Sequence, residues 1–138
     1  MIGATMACGA AGSSLGCASD DGSSPARPMA APKAQDVPVG FIGVAKPGLL
    51  LGRDAGGLYA MTATCTHNQC DLTNYGTFSS SSISCGCHGS MFSPTGQAIH
   101  GPAIDPLKHF QVSVAADGAW SIDATKVVDG AVRTAVPA

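Results

Sequence analysis

The sequence is poor in charge. Only 12% of its 138 residues are Asp, Glu, Lys or Arg, about half of the ~25% usual for a soluble domain. The seven Lys and Arg are scattered and the formal net charge is −2. No basic field exists to recruit nucleic acid. Aromatic residues make up 5% of the chain, and twenty-two of its residues are Ala. The core must be small, built from Val, Ile, Leu and a few rings. No run approaches the roughly 18–20 apolar residues that cross a bilayer as a helix. No Ser-His-Asp set, phosphate loop or carboxylate pair stands out. No convincing amphipathic helix and no internal repeat is present. The length is one domain's worth, too short for a two-domain enzyme.

Eighteen Gly and nine Pro speak for a loop-rich β protein rather than a helical bundle. Short apolar or alternating pieces run from Val37 to Val44 and from Leu49 to Leu51, divided by Pro47-Gly48. Gly56-Gly57 signals a hairpin into Leu58–Thr64. Ser79–Ser82 reads as a polar loop and Ile83–Cys85 as a short strand. Lys108–Val114 alternates, with Phe110, Val112 and Val114 on one face, and Asp117-Gly118 turns it into Trp120–Asp123. The fold class expected is all-β. The expected organisation is a flexible tether over 1–36, a folded domain over 37–124 and a loose tail over 125–138. Trp120 and Phe110 are expected in the core, Met61 and Met91 in packing, and His100 and His109 in structural roles. Asp105 and Lys108 are expected to be ordinary loop charges.

Residues 1–36 are mostly Ala, Gly, Ser and Pro without apolar periodicity, the composition of a solvated tether. The start lacks a basic segment and a strong apolar stretch, so it reads as the tail end of an export signal. Leu15-Gly16-Cys17 resembles the site at which bacterial lipoproteins take a lipid, which makes Cys17 a lipidation candidate.

The informative excess is six Cys and four His. Four of the Cys and two of the His fall in two six-residue windows, Cys65-Thr66-His67-Asn68-Gln69-Cys70 and Cys85-Gly86-Cys87-His88-Gly89-Ser90. Two loops that each offer Cys and His can converge on a metal. Two Cys with two His suit tetrahedral zinc, and they also suit one kind of iron–sulfur centre. Zinc would leave two of the four Cys without a role.

The two windows resemble the boxes of the Rieske iron–sulfur family, whose patterns are Cys-x-His-x-x-Cys and Cys-x-Cys-His-x-Ser. The stretch Phe92–Ala98, then Gly101-Pro102-Ala103 and Pro106-Leu107, also looks like that family's. The resemblance covers about Val39 to Asp123. It implies a Rieske-type fold of small stacked antiparallel sheets, with a cluster-binding part of two loops at about 62–104 on a β base. It also implies one 2Fe–2S cluster. Cys65 and Cys85 would hold the inner iron, and His67 and His88 the outer iron. Cys70 and Cys87 would form the disulfide of the high-potential, respiratory-type branch. Such a bridge points to an oxidising, extracytoplasmic location.

The same resemblance makes Ser90 a donor to a cluster sulfide. Phe92 stands where high-potential members carry a donating Tyr, so the potential should lie below the highest. Gly101 and Pro102 belong to a loop that shields the cluster, with Ile104 where a second Pro is common. Asn68 stands where quinol-oxidising members often carry Leu.

The implied function is one-electron transfer, as an exported ferredoxin-like carrier or the small subunit of a periplasmic oxidoreductase. The alternative is the iron–sulfur subunit of a cytochrome bc-type quinol oxidase, and a remote one is a structural zinc-binding module. An oxygenase would need a second domain, for which this length leaves no room. Partners would be a redox protein donor and acceptor, namely a cytochrome (cytochrome b included) or an oxidoreductase large subunit. Membrane contact would come only through an N-terminal anchor.

Overall fold

The computed structural model describes residues 31–138. Cys8, Cys17 and the first thirty residues of the expected tether lie outside the described residues. Within them, two strands are buried on both faces, and the rest of the domain is arranged around these. Leu49–Asp54 (β2) and Gly57–Thr62 (β3) are joined by a tight turn in which Asp54 Oδ1 accepts from Gly56 N–H at 2.9 Å. Their period-2 alternation sorts side chains to two cores. Leu50, Tyr59 and Met61 face one core, and Leu51, Leu58 and Ala60 face the other. Gly52 carries no side chain because Tyr59 lies across it; a Cβ there would collide with the phenol ring.

These strands sit inside a five-stranded antiparallel sheet of order β1-β2-β3-β8-β9, completed by Ile42–Lys46 (β1), His109–Val114 (β8) and Trp120–Val128 (β9). A second, four-stranded antiparallel sheet runs Gly76–Phe78 (β4), Ile83–Cys85 (β5), Met91–Phe92 (β6) and Ala98–His100 (β7), in that order. β3 pairs directly with β8. The second sheet is therefore one excursion of the chain between two neighbouring strands of the base. The two sheets pack through a shared core of Ile42, Leu50, Met61, Leu72, Ile83 and Phe92. Burying one such side chain contributes about 1.5–3 kcal/mol. The all-β expectation is borne out.

Several finer expectations differ from the structure. The first strand begins at Ile42, not Val37, because Pro38 lacks an N–H and Gly40 adopts a left-handed φ of 89°. Residues 32–36, read as tether, are packed against the sheet. Trp120 Nε1 donates to Pro32 O at 2.7 Å, and Arg53 Nη1 donates to Ala34, Gln35 and Val37 carbonyls at 3.2, 3.2 and 2.6 Å. The expected boundary at 124 falls inside β9, and the tail is not loose. Leu58 and Thr134 exchange both backbone hydrogen bonds at 2.9 Å, Thr134 Oγ1 donates to Val112 O at 2.8 Å, and Arg133 pairs with Asp54 at 2.6 Å. These partners lie far back in the chain, so no local pattern announces them. One α-helical turn, Leu72–Tyr75 (α1), follows the first Cys/His loop, with Asp71 Oδ1 accepting from Thr73 N–H at 2.8 Å. Trp120 and Phe110 are half-buried rather than deep in the core.

Candidate metal centre

The two Cys/His loops are the same turn built twice. In the first, Cys65 N–H donates to Cys70 O at 2.9 Å and Gln69 N–H to Cys65 O at 3.0 Å. In the second, Cys85 N–H donates to Ser90 O at 2.8 Å and Gly89 N–H to Cys85 O at 3.0 Å. Each loop closes through a left-handed fifth residue, Gln69 at φ 54° and Gly89 at φ 79°. Glycine takes that conformation at no steric cost, whereas glutamine bears strain of about 1 kcal/mol. Gln69 is the only non-glycine residue with positive φ among the described residues.

Each loop is anchored by its neighbours. Leu72 N–H donates to Ala63 O at 2.7 Å beneath the first loop, and Gly86 N–H to Tyr75 O at 2.8 Å beside the second. Cys70 and Cys87 form a disulfide between the loops across a sequence separation of 17. A cross-link over a loop near 15 residues contributes roughly 3 kcal/mol in the chain-entropy model. Among the described residues the bridge leaves two thiols, Cys65 and Cys85, both free and buried. The Sγ atoms of Cys70, Cys85 and Cys87 lie within 4.8 Å of one another. Two of those three are oxidised to the disulfide and have no thiolate to offer a metal.

The imidazoles of His67 and His88 are exposed, and their ring centroids stand 5.0 Å apart, edge to face. The two loops thus offer two buried soft thiols and two solvent-facing imidazoles, and the disulfide joins the loops. That donor set fits a 2Fe–2S cluster with one thiolate-held and one imidazole-held iron.

A third loop is attached to both Cys/His loops. Ser90, fully buried, accepts from Ala103 N–H at 3.0 Å, and Thr66 Oγ1 donates to Asp105 O at 2.7 Å. The segment Gly101–Asp105 is thereby tied to both Cys/His loops. The Gly101–Pro102 peptide is cis. Accepting from Ala103 leaves the Ser90 hydroxyl proton free to donate elsewhere. Phe92 is fully buried in the core below. Asn68, next to His67 in the chain, is exposed, and Ile104 is 86% exposed.

Sequence reading missed the support under the second sheet. Tyr59 Oη donates to Pro94 O and His109 Nε2 contacts Thr95 O, each at 2.8 Å, and the two rings stack at 5.8 Å. The Arg133 guanidinium covers the outer face of Tyr59 at 4.3 Å. Burial raises the Tyr59 pKa above its ordinary value, assisted by Asp54 and opposed by Arg133. Burial lowers that of His109, against the hydrogen bond to the Thr95 carbonyl. His109 is thus structural, as expected, and buried. His100 is exposed on β7, Met61 is fully buried and Met91 is half-buried.

Residues 28–111 match the family model for the Rieske [2Fe-2S] domain. Among curated proteins, the chain is 39% identical over 59 residues to YhfW of Bacillus subtilis (strain 168), described as a Rieske 2Fe-2S iron-sulfur protein; that match covers 43% of this chain and 11% of YhfW. It is 39% identical over 70 residues to the cytochrome b6-f complex iron-sulfur subunit of Synechococcus sp. (strain CC9605), covering 50% of this chain and 38% of that one. The chain therefore spans well under half the length of either relative. Among solved structures, it resembles a chain in the complex of reduced oxygenase and oxidized ferredoxin in carbazole 1,9a-dioxygenase. The TM-score is 0.52 at 30% identity, covering 70% of this chain and 93% of that one.

Proposed function

This chain belongs to the Rieske [2Fe-2S] domain family, and we propose that within it the protein is an exported, ferredoxin-like one-electron carrier or the small subunit of a periplasmic oxidoreductase. Membership implies electron transfer through a 2Fe–2S cluster. The observation that carries the finer reading is the pairing of buried Cys65 and Cys85 with exposed His67 and His88 across a disulfide-clamped pair of loops. In this reading Cys65 and Cys85 hold the inner iron and His67 and His88 the outer. When bound, the cluster supplies reversible one-electron chemistry at a potential set by its surroundings.

The chain's own residues divide the remaining work. A neutral imidazole carries less negative charge than a thiolate, so the histidine side is where an added electron is best tolerated. That side faces solvent, which keeps the transfer distance to a partner short. The buried thiols keep water from the other iron. The disulfide joins the loops, and Ser90 holds the third loop through Ala103. The Cys70–Cys87 bridge supports an extracytoplasmic location, where disulfides persist. Lipidation of Cys17 would tether the domain to a membrane surface.

The carrier reading is favoured over a quinol-oxidase subunit by Asn68, an exposed polar side chain next to His67 in the chain. Phe92 has no hydroxyl to donate, so the potential belongs in the positive part of the family's span of roughly −150 to +300 mV, but below its top. Voltammetry of the purified protein tests this: one one-electron wave in that interval is expected. A value well below zero would overturn the high-potential assignment. Both Cys70 and Cys87 found as free thiols in protein isolated from its native compartment would overturn the exported one.

A further inference from the structure

Three sulfur atoms meet where the two Cys/His loops are joined. Cys70 and Cys87 carry the disulfide, and the Sγ of Cys85, a free and buried thiol, lies within 4.8 Å of both of theirs. Cys65, the other free thiol among the described residues, does not belong to that group. A thiol beside a disulfide is the reactant pair of thiol–disulfide exchange, in which the attacking sulfur bonds to one partner and displaces the other. At this separation the step is intramolecular, so no second molecule has to be brought up.

Surroundings decide which sulfur leaves. Cys87 is exposed, whereas Cys70 packs against the same core that buries Cys85. A sulfur that leaves toward water is hydrated as it gains negative charge, and one that leaves within the core is not. Attack on Cys70 with departure of Cys87 is the favoured course. Loop length agrees. The native bridge has a sequence separation of 17, and a Cys70–Cys85 bridge closes nearly the same loop. Closure entropy grows only with the logarithm of length, so it hardly changes, and the two Cys/His loops stay joined. A Cys85–Cys87 bridge would leave them unjoined.

We propose that the Cys85 thiol, when no iron holds it, attacks Cys70 and converts the chain to an isomer with a Cys70–Cys85 bridge and a free, exposed Cys87. The Cys85 S–H bond and the Cys70–Cys87 S–S bond break; a Cys70–Cys85 S–S bond and a Cys87 S–H bond form. One disulfide is lost and one gained, so no oxidant or reductant takes part. The inference rests on the reading of Cys85 as an inner-iron ligand and adds that cluster and native bridge protect one another. Cys85 bound to iron cannot attack, and the isomer lacks a thiol that the inner iron needs. Exchange is reversible, so reloading draws the chain back to the native pairing by mass action.

The test strips iron from the full-length loaded protein with a chelator, at fixed pH and without oxygen. Samples are taken from seconds to hours, the span of uncatalysed exchange. Free thiols are capped with iodoacetamide, and sulfur pairing is mapped by mass spectrometry. Before stripping, Cys70–Cys87 is the expected pairing, with Cys85 uncapped while the visible absorbance persists. After stripping, the Cys70–Cys85 pair and capped Cys87 should appear together in at least about a tenth of the chains, as for pairings whose stabilities lie within tenfold. Both should decline when ferrous iron and sulfide restore the absorbance. Persistence of Cys70–Cys87 alone after stripping, with Cys65 and Cys85 both capped, would overturn the proposal. So would bridges to Cys65 as frequent as those to Cys85, which would trace the change to loss of fold, or capped Cys87 in a stripped or iron-free Cys85→Ser variant. A Cys70–Cys85 bridge that survives in reloaded protein would overturn the mutual protection. Capping of Cys85 in loaded protein with its absorbance intact would instead overturn the ligand reading.

Discussion

Removing the Ser90 hydroxyl should lower the reduction potential and loosen the Gly101–Asp105 loop together. Ser90 is fully buried and its Oγ accepts from Ala103 N–H at 3.0 Å. Its own proton is then available to the cluster, where a donor stabilises the negative charge gained on reduction. A hydrogen bond to a charged group is worth about 1.5–3 kcal/mol. Only the difference between the two redox states counts, roughly 1–2 kcal/mol on that scale. With a tenfold change in equilibrium constant equal to about 59 mV for one electron, Ser90→Ala should fall by roughly 40–90 mV. Phe92→Tyr should move the potential by a similar amount upward, since it restores a hydroxyl two residues on. Ser90→Ala also strands the buried Ala103 N–H, a cost of about 1–3 kcal/mol. That should lower the melting temperature by several degrees, at roughly 4–8 °C per kcal/mol for a domain of this size. Film voltammetry and calorimetry on the same preparations read both effects. A Ser90→Ala potential equal to or above the unmodified one refutes the donor role, even if stability falls.

The double variant Cys70→Ser, Cys87→Ser should release iron faster on warming, by the roughly 3 kcal/mol such a loop closure contributes, as followed by loss of visible absorbance; an unchanged rate would contradict the clamp. Gln69 sits at φ 54°, so Gln69→Gly should hold or raise the melting temperature, whereas Gln69→Val should lower stability by about 1–2 kcal/mol; equal melting points would contradict the strain. The His109 pKa is depressed by burial. The unfolded chain therefore binds more protons, and this contribution to stability is present above the ordinary value near 6.5 and is lost as pH falls below it. Urea midpoints should drop as pH falls below about 6.5, and His109→Phe should flatten that drop; an equal drop in the variant would place its origin elsewhere.

What the sequence made legible depended on range. The hairpin at Gly56-Gly57, the Ser79–Ser82 loop and the β8–β9 turn at Asp117-Gly118 are written in adjacent residues and appear as read. The Cys/His windows were visible because ligand chemistry uses rare residues at fixed spacing. The Cys70–Cys87 bridge came from the resemblance, and the structure contains it. Gln69 was not legible, since nothing in its identity announces a left-handed φ where the sister loop uses Gly89. The stack of His109, Tyr59 and Arg133 was not legible either. It joins residues from β8, β3 and the C-terminal segment, and His109 occupies an alternating strand whose apolar face pointed the other way. The folding back of Thr134 onto Leu58 shares that cause.

The central claim is that one cluster is held by two thiolates and two imidazoles, and nitrogen couplings report on it most directly. Pulsed EPR of the reduced protein grown with ¹⁵N-histidine should show a rhombic signal with two strongly coupled histidine nitrogens, one lost in His67→Cys and the other in His88→Cys. A signal without histidine coupling, or a colourless protein that binds zinc alone, would contradict the account.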